Sequence, residues 1–242
     1  MEHEKMLMIE EKHYLHGDTL LKGWLYYKSD SPHVRPGVLV VHDWSGCNEL
    51  AKERAKVLAE QGFVAFAIDM YGEGRVGVTN EEKQALMQPV ISNRQLLRER
   101  MQRAYQLLAE LPLVQTDKMV AIGFCFGGLC VLDLARSGAG VAGVVSFHGL
   151  LHDDPNFVPE QISADILILH GYNDPMVSPQ AVQKFCDEMT RLKANWQVNM
   201  YGNTSHAFTN PMANDVELGL IYQPQTSEKA FQEMNAFFKR IL

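Results

Sequence analysis

Short, wholly apolar runs alternate with longer stretches of mixed apolar and polar residues along most of the chain. "PGVLVVHD" (36–43), "FVAFAID" (63–69), "KMVAIGF" (118–124), "VAGVVSFHG" (141–149) and "ADILILHG" (164–171) are apolar at successive positions rather than alternate ones. Runs of that kind suit strands buried on both faces, as in a parallel sheet. "NWQVNMY" (195–201) reads as a last strand. At the front, "MLMIEE" (6–11) and "LLKGWLYY" (20–27) read as an opening hairpin with its turn at "HGD" (16–18).

The stretches between these runs carry helical spacing. "NELAKERAKVLAEQG" (48–62) predicts a helix capped by Asn48 and ended by Gly62. From Thr79 to Leu111 the chain is helical in character, with a break expected at Pro89 because its ring displaces an i−4 hydrogen bond. Each half has a Ser/Thr-x-x-Glu/Gln start signal, Thr79 with Glu82 and Ser92 with Gln95. Leu97, Met101, Ala104, Leu108 and Leu111 recur at spacings of four and three, which puts them on one face. "FGGLCVLDLARSG" (126–138) predicts a helix ending at glycine, and "SPQAVQKFCDEMTRLK" (178–193) a helix with Pro179 in its first turn. "SEKAFQEMNAFFKRIL" (227–242) closes the chain as an amphipathic helix with Phe231, Met234, Phe238 and Ile241 on one stripe.

Buried strands alternating with helices imply an α/β fold: a mostly parallel, twisted sheet with helices on both faces. No internal repeat, low-complexity tract or Pro/Ser-rich linker interrupts the pattern, so 1–242 reads as a single domain. In such sheets the working residues sit on loops at the carboxyl ends of the strands.

Composition narrows the function classes. A hydrophobic fraction of 46% and a charged fraction of 21% are ordinary for a globular domain. A formal net charge of −7 without any Lys/Arg cluster argues against a nucleic-acid surface. No segment approaches the ~18 consecutive apolar residues of a membrane span. The start, "MEHEKMLMIE", has no apolar core behind a basic end, so no secretory leader is expected. Cys47, Cys125, Cys130 and Cys186 are scattered without CxxC spacing, which fits free thiols in a reducing cytoplasm.

The candidate chemistry lies in "AIGFCFGGLC" (121–130). Gly123-Phe124-Cys125-Phe126-Gly127 has the form Gly-x-nucleophile-x-Gly between a strand and a helix, a nucleophile elbow with cysteine in place of serine. The flanking glycines permit a turn so tight that a Cβ would clash, and the turn lifts the sulfur above the sheet edge. Its place at a helix N-terminus favours the thiolate. A buried packing cysteine is the plainer alternative; the strand-to-helix context weighs against it. Such a nucleophile needs a base, and the base an orienting acid, in the chain order nucleophile, acid, histidine. Of the four histidines downstream, His206 in "YGNTSHAF" lies between the last strand and the closing helix. His170 and His148 end strands, as a packing residue and a pocket-floor residue, and His152 sits in a polar loop. Asp174 in "HGYNDPMVSP" follows the penultimate strand; Asp153, Asp154, Asp165 and Asp187 are worse placed.

"GFCFGG", "GYNDPMVSP" and "GNTSHAF", with "VVHDWSG" upstream, resemble the dienelactone hydrolase family of the α/β-hydrolase fold over nearly the whole chain. The resemblance implies a triad of Cys125, His206 and Asp174. It also implies an oxyanion hole from backbone N–H groups of Phe126 and Trp44. Two positions depart from the family's namesake. Its upstream-loop glutamate, which interacts with the cysteine, is matched here by the shorter Asp43. Its arginine four residues after the catalytic histidine, which holds a substrate carboxylate, is matched by Asn210, leaving Lys83, Arg94 and Arg75 as candidate cations.

The resulting expectation is a cytoplasmic, carboxymethylenebutenolidase-like hydrolase of small esters or lactones that works through a thioester. It needs no cofactor and no metal; the adjacent His42 and Asp43 lack a spaced third ligand. Trp44, Tyr71, Met176, Phe208 and Asn210 are candidate substrate contacts, and Met70 lies on the same loops. The partner is a small molecule, with no nucleic acid or membrane, and a monomer is compatible with the sequence. Two rivals are a catalytically silent ligand-binding hydrolase fold, which has no need of all three triad residues, and a thiol redox sensor. The sensor needs a resolving cysteine, and Cys130 on the same helix has the wrong geometry.

Overall fold

β1 (Leu7–His16) and β2 (Thr19–Lys28) form the opening hairpin, antiparallel from Leu7 opposite Lys28 to His16 opposite Thr19. The turn between them is made at Gly17, whose φ of +54° suits a residue without a Cβ. The structure, a computed structural model, describes residues 6–29, 33–159 and 161–242. Residues 1–5, part of the stretch read as lacking a leader, lie outside them.

The buried runs form β3 (Arg35–Val41), β4 (Val64–Ile68), β5 (Val114–Phe124), β6 (Gly143–Phe147) and β7 (Asp165–Gly171), and β8 (Trp196–Tyr201) follows. β3 runs parallel to β4, and β6, β7 and β8 are mutually parallel, while β2 meets β4 antiparallel. The eight strands make one sheet in the order β1-β2-β4-β3-β5-β6-β7-β8. The alternation therefore produces the expected mostly parallel sheet, with an antiparallel hairpin at one edge. The chain divides into two compact units, Met1–Ala121 and Ile122–Leu242, and the division falls within β5.

In the first unit α1 (Glu49–Glu60) packs on β2, β3 and β4. Asn48 caps it by accepting from the Ala51 N–H, and Gly62 follows its end at φ +104°. α2 (Asn80–Ile91) begins with a closed capping box between Thr79 and Glu82. It corrects one expectation, because it runs through Pro89 and stops at Ser92. Pro89 is exposed and within the last turn, so the lost hydrogen bond disturbs only a frayed end. α3 (Arg94–Ala109) is capped by Asn93 rather than started at Ser92, since the Asn93 side chain accepts the Leu96 N–H. Leu97, Met101, Ala104 and Leu108 are fully buried, and α3 packs against β1 and β3.

In the second unit α4 (Phe126–Arg136) packs on β6. α5 (Pro179–Arg191) is capped by Ser178. α6 (Pro224–Ile241) packs on β6 and β7 and starts three residues earlier than its periodicity suggested, with Pro224 at its first turn. Between β8 and α6 lies a small hairpin absent from the sequence reading, β9 (Asn214–Asp215) paired with β10 (Leu220–Ile221). Val144, Val145, Phe147, Ile168, Leu169, Phe185 and Phe237 form the second unit's core. Burying each such side chain contributes roughly 1.5–3 kcal/mol.

Candidate active site

Cys125 stands between the last residue of β5 and the first of α4, as its N-cap. Its backbone adopts φ +53°, ψ −114°, a region that costs a non-glycine residue of order 1–3 kcal/mol. The surroundings leave little choice. A Cβ at Gly123 would lie 2.0 Å from the Gly127 carbonyl oxygen, and one at Gly128 would lie 2.5 Å from Ser146 Oγ and 2.6 Å from Gly149 Cα. The glycines thus let the start of α4 close onto the ends of β5 and β6. The turn is held by Cys125 N–H donating to the Phe147 carbonyl (3.0 Å) and Gly128 N–H donating to the Cys125 carbonyl (2.9 Å).

The structure brings Asp174 and His206 together in the same unit. His206 Nδ1 donates to Asp174 Oδ2 at 2.7 Å, with both side chains buried. The other oxygen, Oδ1, accepts the N–H groups of Met176 (2.8 Å) and Val177 (3.1 Å), so the carboxylate cannot rotate away from the ring. The two loops are tied by their backbones: Asn173 N–H donates to the Thr204 carbonyl and Tyr172 N–H to the Tyr201 carbonyl, each at 2.8 Å. Gly171 permits this approach, because a Cβ there would lie 2.4 Å from the Thr204 carbonyl oxygen.

Burial pushes the His206 imidazole down, but the charge of Cys125, the Asp174 hydrogen bond and the bonding contact with Cys125 outweigh it and hold the group at about 10. Nε2 is buried and makes no hydrogen bond of ordinary geometry. The coupling to the sulfur is therefore best described as a charge interaction rather than a closed hydrogen bond. His170 donates from Nε2 to the Val177 carbonyl at 3.0 Å, which packs it behind the Asp174 turn, and burial pushes its ring down. His148 pairs through Nε2 with Thr209 Oγ1 at 2.8 Å, and its ring lies edge-on to His206 with centroids 5.1 Å apart.

The remaining candidates separate. Met176 is 44% exposed beside the Asp174 turn. Phe208 is fully buried against the rings of His148 and Tyr201. The Asn210 side chain accepts the Met212 N–H at 2.9 Å, closing a turn of its own loop. In the first unit, Asp43 Oδ1 accepts the Ser45 N–H at 2.8 Å, and Tyr71, itself buried, donates its hydroxyl to the Trp44 carbonyl at 2.9 Å. Lys83 Nζ stands 5.3 Å over the Trp44 ring, and Arg75 donates to the Gly72 and Tyr71 carbonyls. His42 is held on both sides: Nδ1 donates to the Asp43 carbonyl at 2.5 Å and Nε2 accepts the Met70 N–H at 3.2 Å. That pairing makes it a neutral loop anchor, and burial pushes its pKa down. Asp69 accepts N–H groups from Lys22, Tyr71, Gly72 and Gly74, a role that no local sequence pattern marks.

Among the described residues no cluster of three or more His, Cys, Asp or Glu is placed to hold a metal ion, and no helix is long and apolar enough to cross a membrane.

A parallel sheet with a strained cysteine turn after β5 and an Asp–His pair on the loops after β7 and β8 defines an α/β-hydrolase. The dienelactone hydrolase profile matches residues 21–242. The chain belongs to the dienelactone hydrolase family, and so to the ester and lactone hydrolases. A dienelactone hydrolase-like promiscuous phosphotriesterase from metagenomic libraries is 34% identical and superimposes with a TM-score of 0.91 over 97% of this chain and 98% of its own. The structure of m3DLH is likewise 34% identical, with a TM-score of 0.92 over 98% of this chain and 99% of its own. A relative from Bradyrhizobium, named a probable 2-oxo-3-(5-oxofuran-2-ylidene)propanoate lactonase, is 30% identical over 183 residues, 72% of this chain and 73% of its own.

Proposed function

We propose that the protein hydrolyses small neutral esters or lactones with Cys125 as nucleophile, His206 as base and Asp174 as the acid that orients it. The observation that carries this is the buried 2.7 Å Asp174–His206 pair whose imidazole is charge-coupled to a cysteine on a strained N-cap turn. Cys125, its thiol proton passed to His206 Nε2, attacks the carbonyl carbon as the thiolate, and the carbonyl electrons move onto oxygen. That oxyanion rests on the N–H of Phe126, the first residue of α4; losing one such donor commonly costs ~10²–10³ in rate. The tetrahedral adduct collapses with loss of the alkoxide, which takes a proton from the His206 imidazolium. Water, deprotonated by His206, then cleaves the thioester. Trp44 as second donor and Asp43 as the acid tuning the thiol rest on the family resemblance.

Asn210 carries no charge, and its side chain already closes a local turn. A carboxylate entering a partly buried site needs a paired cation, since an unpaired buried charge costs several kcal/mol. We therefore assign a preference for neutral substrates over anionic lactones. A neutral phosphotriester is a second reading, favoured by 34% identity with the phosphotriesterase over almost the full length of both chains. We treat 1–242 as one catalytic domain, because the family profile runs through both compact units. The cytoplasm is its place, on the free state of all four cysteines. The acidic net charge speaks against a nucleic-acid partner.

The test is a panel of p-nitrophenyl acetate, a neutral lactone, an anionic lactone of similar size and a diethyl aryl phosphate, with wild type and Cys125→Ala. Turnover of the neutral ester and lactone, lost in Cys125→Ala, is expected. Turnover that survives in Cys125→Ala removes the cysteine from the mechanism, and a preference for the anionic lactone overturns the substrate assignment.

A further inference from the structure

The His206 loop carries two non-glycine residues in the left-handed region, Asn203 at φ +54° and Ala207 at φ +57°. Asparagine tolerates that region, whereas alanine adopts it only when its surroundings impose it. Asp174 fixes the His206 ring but not the backbone that carries the ring. The segment just before α6 supplies that constraint. Ile221 N–H donates to the His206 carbonyl and Gln223 N–H to the Phe208 carbonyl, each at 3.1 Å. His206 and Leu220 are paired as a parallel bridge. The Gln223 side chain reaches the other end of the loop. Its Oε1 accepts the Ser205 N–H at 3.1 Å and its Nε2 donates to the Asn203 carbonyl at 2.7 Å. The partners fix the amide's orientation, because an N–H can only donate and a carbonyl can only accept.

We propose that Gln223 is a positioning residue for the reaction: through its backbone and both ends of its side chain it clasps 203–208 and sets where His206 stands. This rests on the assignment of His206 as base. Only glutamine does this work here. Glutamate keeps the acceptor for Ser205 and loses the donor for Asn203, asparagine is one methylene shorter, and methionine fills the space without either bond. Gln223 acts through the loop backbone, so its loss shows in the chemical step more than in substrate binding.

The experiment compares wild type, Gln223→Met, Gln223→Glu and His206→Ala on p-nitrophenyl acetate, with folding checked by circular dichroism and the His206 imidazole titrated by NMR in the folded variants. Gln223→Met is expected to lower kcat by about 10–100-fold with KM within about threefold, because a displacement near 1 Å can cost ~10² in rate. Its His206 midpoint is expected to fall below the wild-type value, as the couplings to Asp174 and Cys125 loosen. Gln223→Glu is expected to lie between the two in kcat. If Gln223→Met does not fold, Gln223→Glu alone decides, by a lowered kcat at unchanged KM. A folded Gln223→Met with wild-type kcat and midpoint, or in its absence a Gln223→Glu with wild-type kcat, overturns the inference while an inactive His206→Ala leaves the base assignment standing. A fully active His206→Ala overturns both.

Discussion

His206 is a buried imidazole whose pKa is held up against the cost of burial. A buried histidine without partners would shift down. Here the Cys125 charge leads the opposing effects, followed by the Asp174 bond, and the group is held at about 10 against an ordinary 6.5. Because the folded value is raised, the stabilisation it brings is fully present below about pH 6.5 and is lost as pH rises through about 10. Cys125→Ala removes the leading upward effect, so an NMR titration of its His206 ring is expected to show a midpoint clearly below the wild-type one. An unchanged midpoint contradicts the coupling. The residues proposed for the site stood out in the sequence because each leaves a local mark. The glycines around Cys125 answer to backbone clashes of 2.0 Å at Gly123 and 2.6 Å at Gly128, and Asp174 and His206 sit on loops after successive strands. Phe208 and Tyr71 were legible only as apolar loop residues. Their burial comes from tertiary packing, which no local pattern reports.

α4 presents Cys125 at one end, and a charged network anchors its other end. Arg136 is buried in the last turn of α4, where it donates from Nε and Nη2 to the two Glu188 oxygens of α5 at 3.0 and 2.7 Å, from Nη1 to Asp133 at 3.3 Å and from Nη2 to the Leu151 carbonyl at 3.4 Å. The fork matches the carboxylate bidentately, a geometry lysine cannot reproduce. Glu188→Ala leaves the guanidinium short of its bidentate partner and is expected to destabilise the fold by about 2–4 kcal/mol in denaturant melts, below the full cost of breaking a deeply buried pair because Asp133 remains. A loss under ~0.5 kcal/mol contradicts a role for the pair. Elements with strong periodicity were legible, including both capped ends of α1 and the buried face of α3. Boundaries were less so. Proline in a last turn does not break a helix, as Pro89 shows, and Pro224 at a first turn marks the α6 start better than the apolar stripe that begins later. β9 and β10, two residues each, are too short to carry any period, and with them the clasp around Gln223 escaped notice.

Across the whole molecule, the order of strands and helices reproduces a hydrolase architecture in which the proposed nucleophile, acid and base all belong to the second unit, Ile122–Leu242. The pattern of buried runs revealed the parallel sheet, since strands covered on both faces leave no polar alternation. The order of strands within that sheet rests on long-range pairing that composition does not encode. Family membership gives the reaction class; the thioester intermediate belongs to the proposed cysteine nucleophile. The most direct measurement is a rapid-quench mass determination after mixing the protein with p-nitrophenyl acetate. The account predicts a transient acetyl adduct on the peptide containing Cys125, formed at least as fast as steady-state turnover and absent from Cys125→Ala. An adduct on a different residue, or turnover with no adduct in a variant that lacks the sulfur, contradicts it.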